Sequence, residues 1–311
     1  MLPIGLLIYL LFLPFRAPAA APSREGDANG RTRVILIGVD GLGGEAVDRA
    51  DCPNLRALMR RGAWTLKARG VLPTVSAPNW ASVLTGAGPE QHGITSNGWF
   101  RNKTGLKLPT IFAWLRQQRP AARSAVFHDW NDIAKLVEPG VPDVVEHHRG
   151  SARTMHAARA YWLANQPDLM FVHLLDTDIV GHVRGWNSRA YLRAVERADT
   201  LIGQLISALE ERDLLRHTLI LVTSDHGGSG HNHGKNPMAE SSIPWIMAGP
   251  GVAVGVELSA SVNTTDTAPT VASVLGIQPP ECAVGRRLTA ALSGAGVQET
   301  SSLGPAGRVS D

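Results

Sequence analysis

Two kinds of apolar run alternate along this chain. Short blocks rich in valine, isoleucine and leucine, with almost no polar interruption, read as strands buried on both faces: Arg33 to Val39, Arg123 to Phe127, Asp168 to Leu175 and Thr218 to Thr223. Ala63 to Gly70 is read as a further strand. Segments with helical spacing lie between them, at Pro53 to Arg61, Thr110 to Gln118, Ala152 to Leu163 and Ser188 to about Arg212. Another helix opens near Ala77 or Pro78 and stops at Gly86. Proline in a first turn and glycine just past a last one set such boundaries. The alternation predicts an α/β fold with an open, largely parallel central sheet flanked by helices.

The residues just past each strand carry more chemistry than the strand itself. Arg33–Val39 runs into Asp40-Gly41-Leu42-Gly43-Gly44, and Asp168–Leu175 into Asp176-Thr177-Asp178-Ile179-Val180-Gly181-His182. Thr218–Thr223 runs into Ser224-Asp225-His226-Gly227-Gly228-Ser229-Gly230-His231-Asn232-His233-Gly234. For one of these histidines a solvated surface loop is the ordinary explanation, but for three beside a carboxylate and four glycines it is not. The glycines let the backbone curl so that a later histidine returns to the strand end. Asp178 and His182 are spaced so that one helical turn or a tight loop aims both at one ion. Ligands of open parallel sheets collect at the carboxyl ends of strands, so Asp40, Asp178, His182, Asp225, His226 and His233 are predicted to converge. Six oxygen and nitrogen donors without cysteine suit two borderline divalent ions, Zn²⁺ most naturally, with Mn²⁺ as the alternative. Two-metal hydrolases hold such ions roughly 3.5 to 4 Å apart.

Ser76 is placed at the start of the helix that stops at Gly86, where free N–H groups and the helix dipole favour an anion. An N-cap serine and a phosphoryl-binding nucleophile require this same position, and nearby metals would decide between them.

Composition narrows the setting. A chain of 311 residues, 44% of them hydrophobic, is long enough for one large core. The formal charge of +3 is small and scattered, and the basic helix face of Arg56, Arg60 and Arg61 reads as solvated, so no stable nucleic-acid partner is expected. Cys52 and Cys282 lie in no thiolate metal motif, and whether they pair is left open. Residues 1–21 read as a signal peptide: Leu2 to Phe15 is apolar and small residues follow. The missing basic n-region leaves a membrane-retained N-terminus as the alternative, although the run is shorter than the ~20 residues a spanning helix needs. Residues 22–31 are expected to be a flexible leader, 32–292 the functional domain and 293–311 a disordered tail, in an exported protein.

With these residues in order, the chain resembles the alkaline phosphatase superfamily, closest to the type I phosphodiesterase/nucleotide pyrophosphatase branch and its small exported bacterial members. The resemblance runs from about Val34 to Leu288 and takes in Pro109-Thr110-Ile111-Phe112, Ile243 to Gly251 and Asp266 to Thr270. It implies an alkaline phosphatase-like three-layer sandwich, with Asp178, His182 and His233 holding one ion and Asp40, Asp225 and His226 the other. It assigns Ser76 as the nucleophile of a phosphoseryl mechanism and Asn79 as the asparagine that helps hold a phosphoryl oxygen. His92 is structural in this pattern, and His231 has no counterpart, which leaves it a spare polar loop residue or a group behind the ligands.

The implied substrate is a small phosphoester, with diesters or pyrophosphates preferred to monoesters. Ala77, Pro78, Asn79 and Trp80 flank Ser76 and bring no cation, although Arg101 or Arg184 reaching in from elsewhere would favour a monoester. Trp80 is either an exposed stacking surface or a core residue of its helix. The rivals are a phosphate monoesterase, a sulfatase of the same fold and an inactive metal-binding envelope module. Against the sulfatase, Trp80 replaces the arginine of its Ser/Cys-x-Pro-x-Arg motif, and Asp40-Gly41 replaces its paired aspartates.

Overall fold

The computed structural model describes residues 31–101, 106–235 and 240–293. The predicted signal peptide, nearly all of the leader and the tail beyond residue 293 lie outside them. Among the described residues, no helix is long and apolar enough to cross a membrane.

Eight strands form one sheet: β1 (Arg33–Val39), β2 (Gly62–Arg69), β3 (Ser124–His128), β4 (Val144–His147), β5 (Leu169–Leu174), β6 (Thr218–Thr223), β7 (Ser242–Ala248) and β8 (Val256–Glu257). Their order is β4-β3-β5-β1-β6-β7-β2-β8. All strands run the same way except β7, which is antiparallel to both β6 and β2, so the sheet is largely parallel as expected. The helices are α1 (Gly44–Arg49), α2 (Pro53–Arg61), α3 (Ser76–Thr85), α4 (Pro89–His92), α5 (Ile111–Gln118), α6 (Ser151–Asn165), α7 (Asp176–Arg184) and α8 (Arg189–Glu210), followed by a closing helix, Thr267–Leu275.

Successive residues of a strand point to opposite faces, and here both faces are covered. In β1, Val34 and Leu36 join one core and Ile35, Ile37 and Val39 the other. The first core is covered by α3, α5 and the closing helix, the second by α1, α2, α6 and α8. This is the three-layer sandwich of an alkaline phosphatase-like fold. It also explains why the central strands read as unbroken apolar runs rather than as alternating ones.

The long helix α8 begins where Ser188 caps it, the hydroxyl accepting from the Tyr191 N–H at 3.1 Å. Tyr191 then lies fully buried, its hydroxyl donating to the Gly41 carbonyl at 2.8 Å. Together with the Trp186 indole, which donates to the same carbonyl at 2.9 Å, it pins the turn that leaves β1.

Candidate active site

The three central strands β5, β1 and β6 are neighbours, and each delivers ligand candidates from its carboxyl end. Asp40 follows β1 directly, Asp225 lies just beyond β6, and Asp178 sits in the first turn of α7, which begins right after β5. Thr177 locks the turns that follow β1 and β5 together by donating to the Asp40 carbonyl at 2.6 Å. Gly41 has a positive φ of 69°, and a Cβ there would come within 2.9 Å of the Asp178 backbone, so only glycine lets these two turns touch.

Two groups of ligand atoms result, with the memberships expected from sequence: Asp40, Asp225 and His226 in one, Asp178, His182 and His233 in the other. In the deep group, His226 Nε2 lies 3.2 Å from Asp225 Oδ2 and 3.7 Å from Asp40 Oδ1. All three side chains are shut off from solvent. In the outer group, Asp178 Oδ1 lies 3.6 Å from His182 Nε2 and 3.8 Å from His233 Nε2. The two groups adjoin through the stacked rings of His226 and His233, 3.7 Å apart.

Each ligand histidine spends its Nδ1–H on a main-chain carbonyl: His226 on Gly227 at 2.8 Å, His233 on Thr74 at 2.8 Å and His182 on His231 at 3.0 Å. That fixes the tautomer and leaves every Nε2 lone pair facing the site. His182 Nε2 and His233 Nε2 consequently face each other at 3.1 Å with no proton to share. Asp40 Oδ1, Asp178 Oδ1 and Asp225 Oδ2 are buried with no hydrogen-bond partner among the described residues. Buried acceptors left without donors are costly. Unpaired oxygens and nitrogens converging in two groups are what divalent cations satisfy, so the residues present fit the metals that the resemblance implies.

The titration tendencies agree. Burial, reinforced by Asp225 and Asp178, raises Asp40 well above the usual carboxylate range. Burial pushes Asp225 up to about 6 and raises Asp178. It also lowers His226 and His233, which keeps their rings neutral. Without cations, the cluster thus works against its own ionised form.

Ser76 is the first residue of α3, and its Oγ lies 3.3 Å from His226 Nε2. The N-cap of α3 is Val75, and no side chain caps the helix, so the capping alternative for Ser76 is not what the fold shows.

Asn79 requires a correction. Its Oδ1 accepts from the Val71 N–H at 2.7 Å, and its Nδ2 donates to the carbonyls of Val71, Pro73 and Val75 at 3.1, 3.1 and 3.0 Å. Fully buried and saturated by the 71–75 loop, Asn79 shapes the approach to Ser76 and has nothing left to offer a phosphoryl oxygen. The amide at the site belongs to Asn97, which the sequence does not single out. Its Oδ1 accepts from the Ala77 N–H at 2.8 Å, beside Ser76, and the side chain is exposed.

Trp80 is fully buried rather than an exposed stacking surface, and its indole donates to Asp40 Oδ2 at 2.9 Å. His173, a buried residue near the end of β5, reaches the same oxygen through Nε2 at 2.9 Å. His231 lies behind the ligands: its carbonyl holds His182, and its Nδ1 donates to the His182 carbonyl at 3.0 Å. Cys52 and Cys282 are unpaired, and burial pushes the Cys52 thiol up to about 12, so it is inert.

Fold and site together define an alkaline phosphatase-like α/β domain with two Asp/His ligand triads beside a helix-terminal serine. The profile of the type I phosphodiesterase/nucleotide pyrophosphatase family matches residues 34–112 and 114–244, and the chain belongs to that family. An uncharacterised pyrophosphatase/phosphodiesterase of Schizosaccharomyces pombe is 27% identical over 238 residues, covering 70% of this chain and 47% of that protein. The chain thus spans about half the length of this relative.

Among solved structures, an inactive variant of murine ectonucleotide pyrophosphatase/phosphodiesterase 5 in complex with AMP superposes with a TM-score of 0.69 at 16% identity, over 80% of this chain and 96% of that one. A 2-O GAG sulfatase superposes with a TM-score of 0.70 at 15% identity, over 83% and 73% of the two chains. At such identities the likeness concerns the fold.

Proposed function

We propose that the protein is a two-metal hydrolase that cleaves phosphodiester or pyrophosphate-type bonds through a phosphoseryl intermediate on Ser76. One observation carries the reading: the Ser76 hydroxyl, 3.3 Å from His226 Nε2, stands at the N-terminus of α3 against two triads of unpaired ligand atoms.

Asp178, His182 and His233 would hold one divalent ion, and Asp40, Asp225 and His226 the other. The donor set suits Zn²⁺, with Mn²⁺ as the alternative. Bound there, such ions supply Lewis acidity and a lowered pKa for an oxygen nucleophile. Ser76 Oγ forms the bond to phosphorus as the ester oxygen leaves, and water later regenerates the hydroxyl. The amide of Asn97, its oxygen fixed by the Ala77 N–H, has no partner for its NH₂ among the described residues and can offer it to a non-bridging oxygen. With Ala77 so engaged, Pro78 lacking an N–H and Asn79 bonded to Val75, the Ser76 N–H is the backbone donor that the opening of α3 adds.

Ala77, Pro78, Asn79 and Trp80, which flank Ser76, bring no cation to it, and this supports a diester, which carries less charge than a monoester. The AMP complex of the murine neighbour supports a nucleotide-sized substrate. Export fits the same reading and rests on the apolar run at residues 2–15 and the small residues after it.

The test is kcat/KM for an aryl phosphodiester, its monoester and an aryl sulfate, with Zn²⁺ and with Mn²⁺, before and after chelation. The diester is expected to lead, and chelation to abolish turnover. A large monoester or sulfate excess would replace the substrate class, and chelation-resistant activity would remove the metals.

A further inference from the structure

Asp40 is the one ligand whose orientation is set by two side chains rather than by backbone. Its Oδ2 receives the Trp80 indole N–H and the His173 Nε2–H, each at 2.9 Å, while Oδ1 has no partner. Asp225 shows the same division by other means: its Oδ1 accepts from the Gly41 N–H at 3.0 Å and Ser224 Oγ at 3.4 Å, and its Oδ2 is the unpartnered one. In both carboxylates, then, one oxygen is engaged and the other bare. On Asp40 the engaged oxygen has two N–H donors, whereas on Asp225 it has the Gly41 N–H, the Ser224 hydroxyl lying closer to the His226 carbonyl at 3.0 Å.

His173 itself argues for a dedicated role. It is fully buried, with its ring edge-on to Trp80 at 5.2 Å, and its Nδ1 has no partner among the described residues. A residue kept only for packing would carry no such unsatisfied nitrogen. The single hydrogen bond to Asp40 is what this imidazole contributes.

We propose that Trp80 and His173 are positioning residues that restrict Asp40 to one ligand oxygen and thereby set how tightly, and for which ion, the deep site binds. A carboxylate oxygen has two in-plane lone pairs, and both on Oδ2 are taken by N–H donors. Two-oxygen ligation by Asp40 would strip at least one buried donor of its acceptor. The deep site therefore offers three single-atom donors, Asp40 Oδ1, Asp225 Oδ2 and His226 Nε2, suited to a four-coordinate Zn²⁺. Ca²⁺, which takes six to eight oxygens and readily uses both atoms of a carboxylate, is disfavoured. Among the described residues, no side-chain donor grips Asp178 in this way, and the imidazoles of the outer triad are anchored to main-chain carbonyls. Loss of Trp80 or His173 should therefore act on one site of the two.

The inference rests on the two-metal reading above, and the experiment separates them. Zinc affinities of both sites would be measured by chelator competition on wild type, Trp80→Phe, His173→Phe and His173→Gln, together with Zn²⁺/Ca²⁺ selectivity and metal-free melting. Wild type is expected to bind two zinc ions. In the two phenylalanine variants one affinity should fall by roughly 10- to 100-fold, with narrowed selectivity against Ca²⁺, while the other stays unchanged. His173→Gln keeps a donor and should stay near wild type. If His173→Phe does not fold, Trp80→Phe, which keeps an aromatic ring, decides. Folded variants with both affinities unchanged, or with both lowered alike, would overturn the proposal. A wild-type protein that binds no zinc would instead overturn the metal reading beneath it.

Discussion

The two ligand triads use the same residue types and differ in what stands behind them. Asp40, Asp225 and His226 lie at the ends of adjacent central strands, without exposure, and their spare atoms are held by Gly41, Ser224, Trp80 and His173. Asp178, His182 and His233 come from a helix and a glycine-rich loop, and the His182 side chain is 40% exposed. The deep triad is built into the sheet, whereas the outer one borders solvent and depends on a loop. A ligand held by a packed core can be lost only with local repacking, but one held by a loop can be exchanged. The deep site should therefore govern the chemistry of Ser76, which contacts it, and the outer site should be the more labile.

The largest effect is expected at the serine beside the deep triad. Ser76→Ala should retain both ions and lose turnover by about a thousandfold or more. Because Ser76 does not cap α3, its melting temperature should fall less than the roughly 0.5–2 kcal/mol of a lost cap would require. Near-normal rates in this variant would end the covalent route.

Next comes the deep triad. Asp225→Asn should lose the deep ion and nearly all activity. The metal-free proteins should rank the other way in stability. The folded pKa of Asp225 is raised from 3.8 to about 6, so stability falls as pH rises from about 4 to 6 and the full cost of its ionised form is present above 6. At pH 8 the metal-free variant should therefore melt above metal-free wild type, by on the order of 1 kcal/mol or more. With zinc the order should reverse. A metal-free variant melting well below wild type would show that Asp225 is not under this strain.

A smaller loss is expected at the outer triad. His182→Ala should weaken one ion on the order of a hundredfold, and excess Zn²⁺ should restore most of the rate because the site is open to solvent. Titration of activity with Zn²⁺ checks this, and failure of rescue would erase the distinction between the triads.

The smallest effect lies away from both. Burial pulls His92 down to about 4, and its Nδ1 accepts from the Ile94 N–H at 3.1 Å. Its folded pKa is depressed, so its contribution is full above about 6.5 and lost as pH falls towards 4. Between pH 7 and 6 that loss should be somewhat under ~1 kcal/mol, and His92→Gln should flatten it. Chemical denaturation at the two pH values reads it directly. Zinc affinity should not change.

How far the sequence revealed this structure depended on whether chemistry followed chain order. Strands β1 and β6 and helix α2 were legible to the residue, because strands buried on both faces leave unbroken apolar runs and Pro53 marks a helix start. The six metal candidates were legible because each follows a strand end. Strand β7 was not read as a strand, since Pro244 interrupts its apolar run, and the edge strand β4 is too exposed to leave an apolar block. Asn79 misled because it is three residues from the nucleophile in sequence, yet the 71–75 loop folds back and consumes its amide. Asn97 sits in a polar stretch with no local signature, and only the fold brings it to Ala77. His173 was hidden in an apolar strand, where alternation marks it simply as a core position.

The pairing of β1 with β5 on one side and β6 on the other has a consequence for how the protein comes to exist at all. Asp40 meets His173 across 133 residues of chain, and Ser76 meets His226 across 150. Such distant partners come together late in folding, after the entropy of closing long loops has been met. The ligand cluster therefore cannot seed folding. Ions that bind only the finished site stabilise the native state without speeding its formation, so their removal should accelerate unfolding and leave the refolding rate almost untouched.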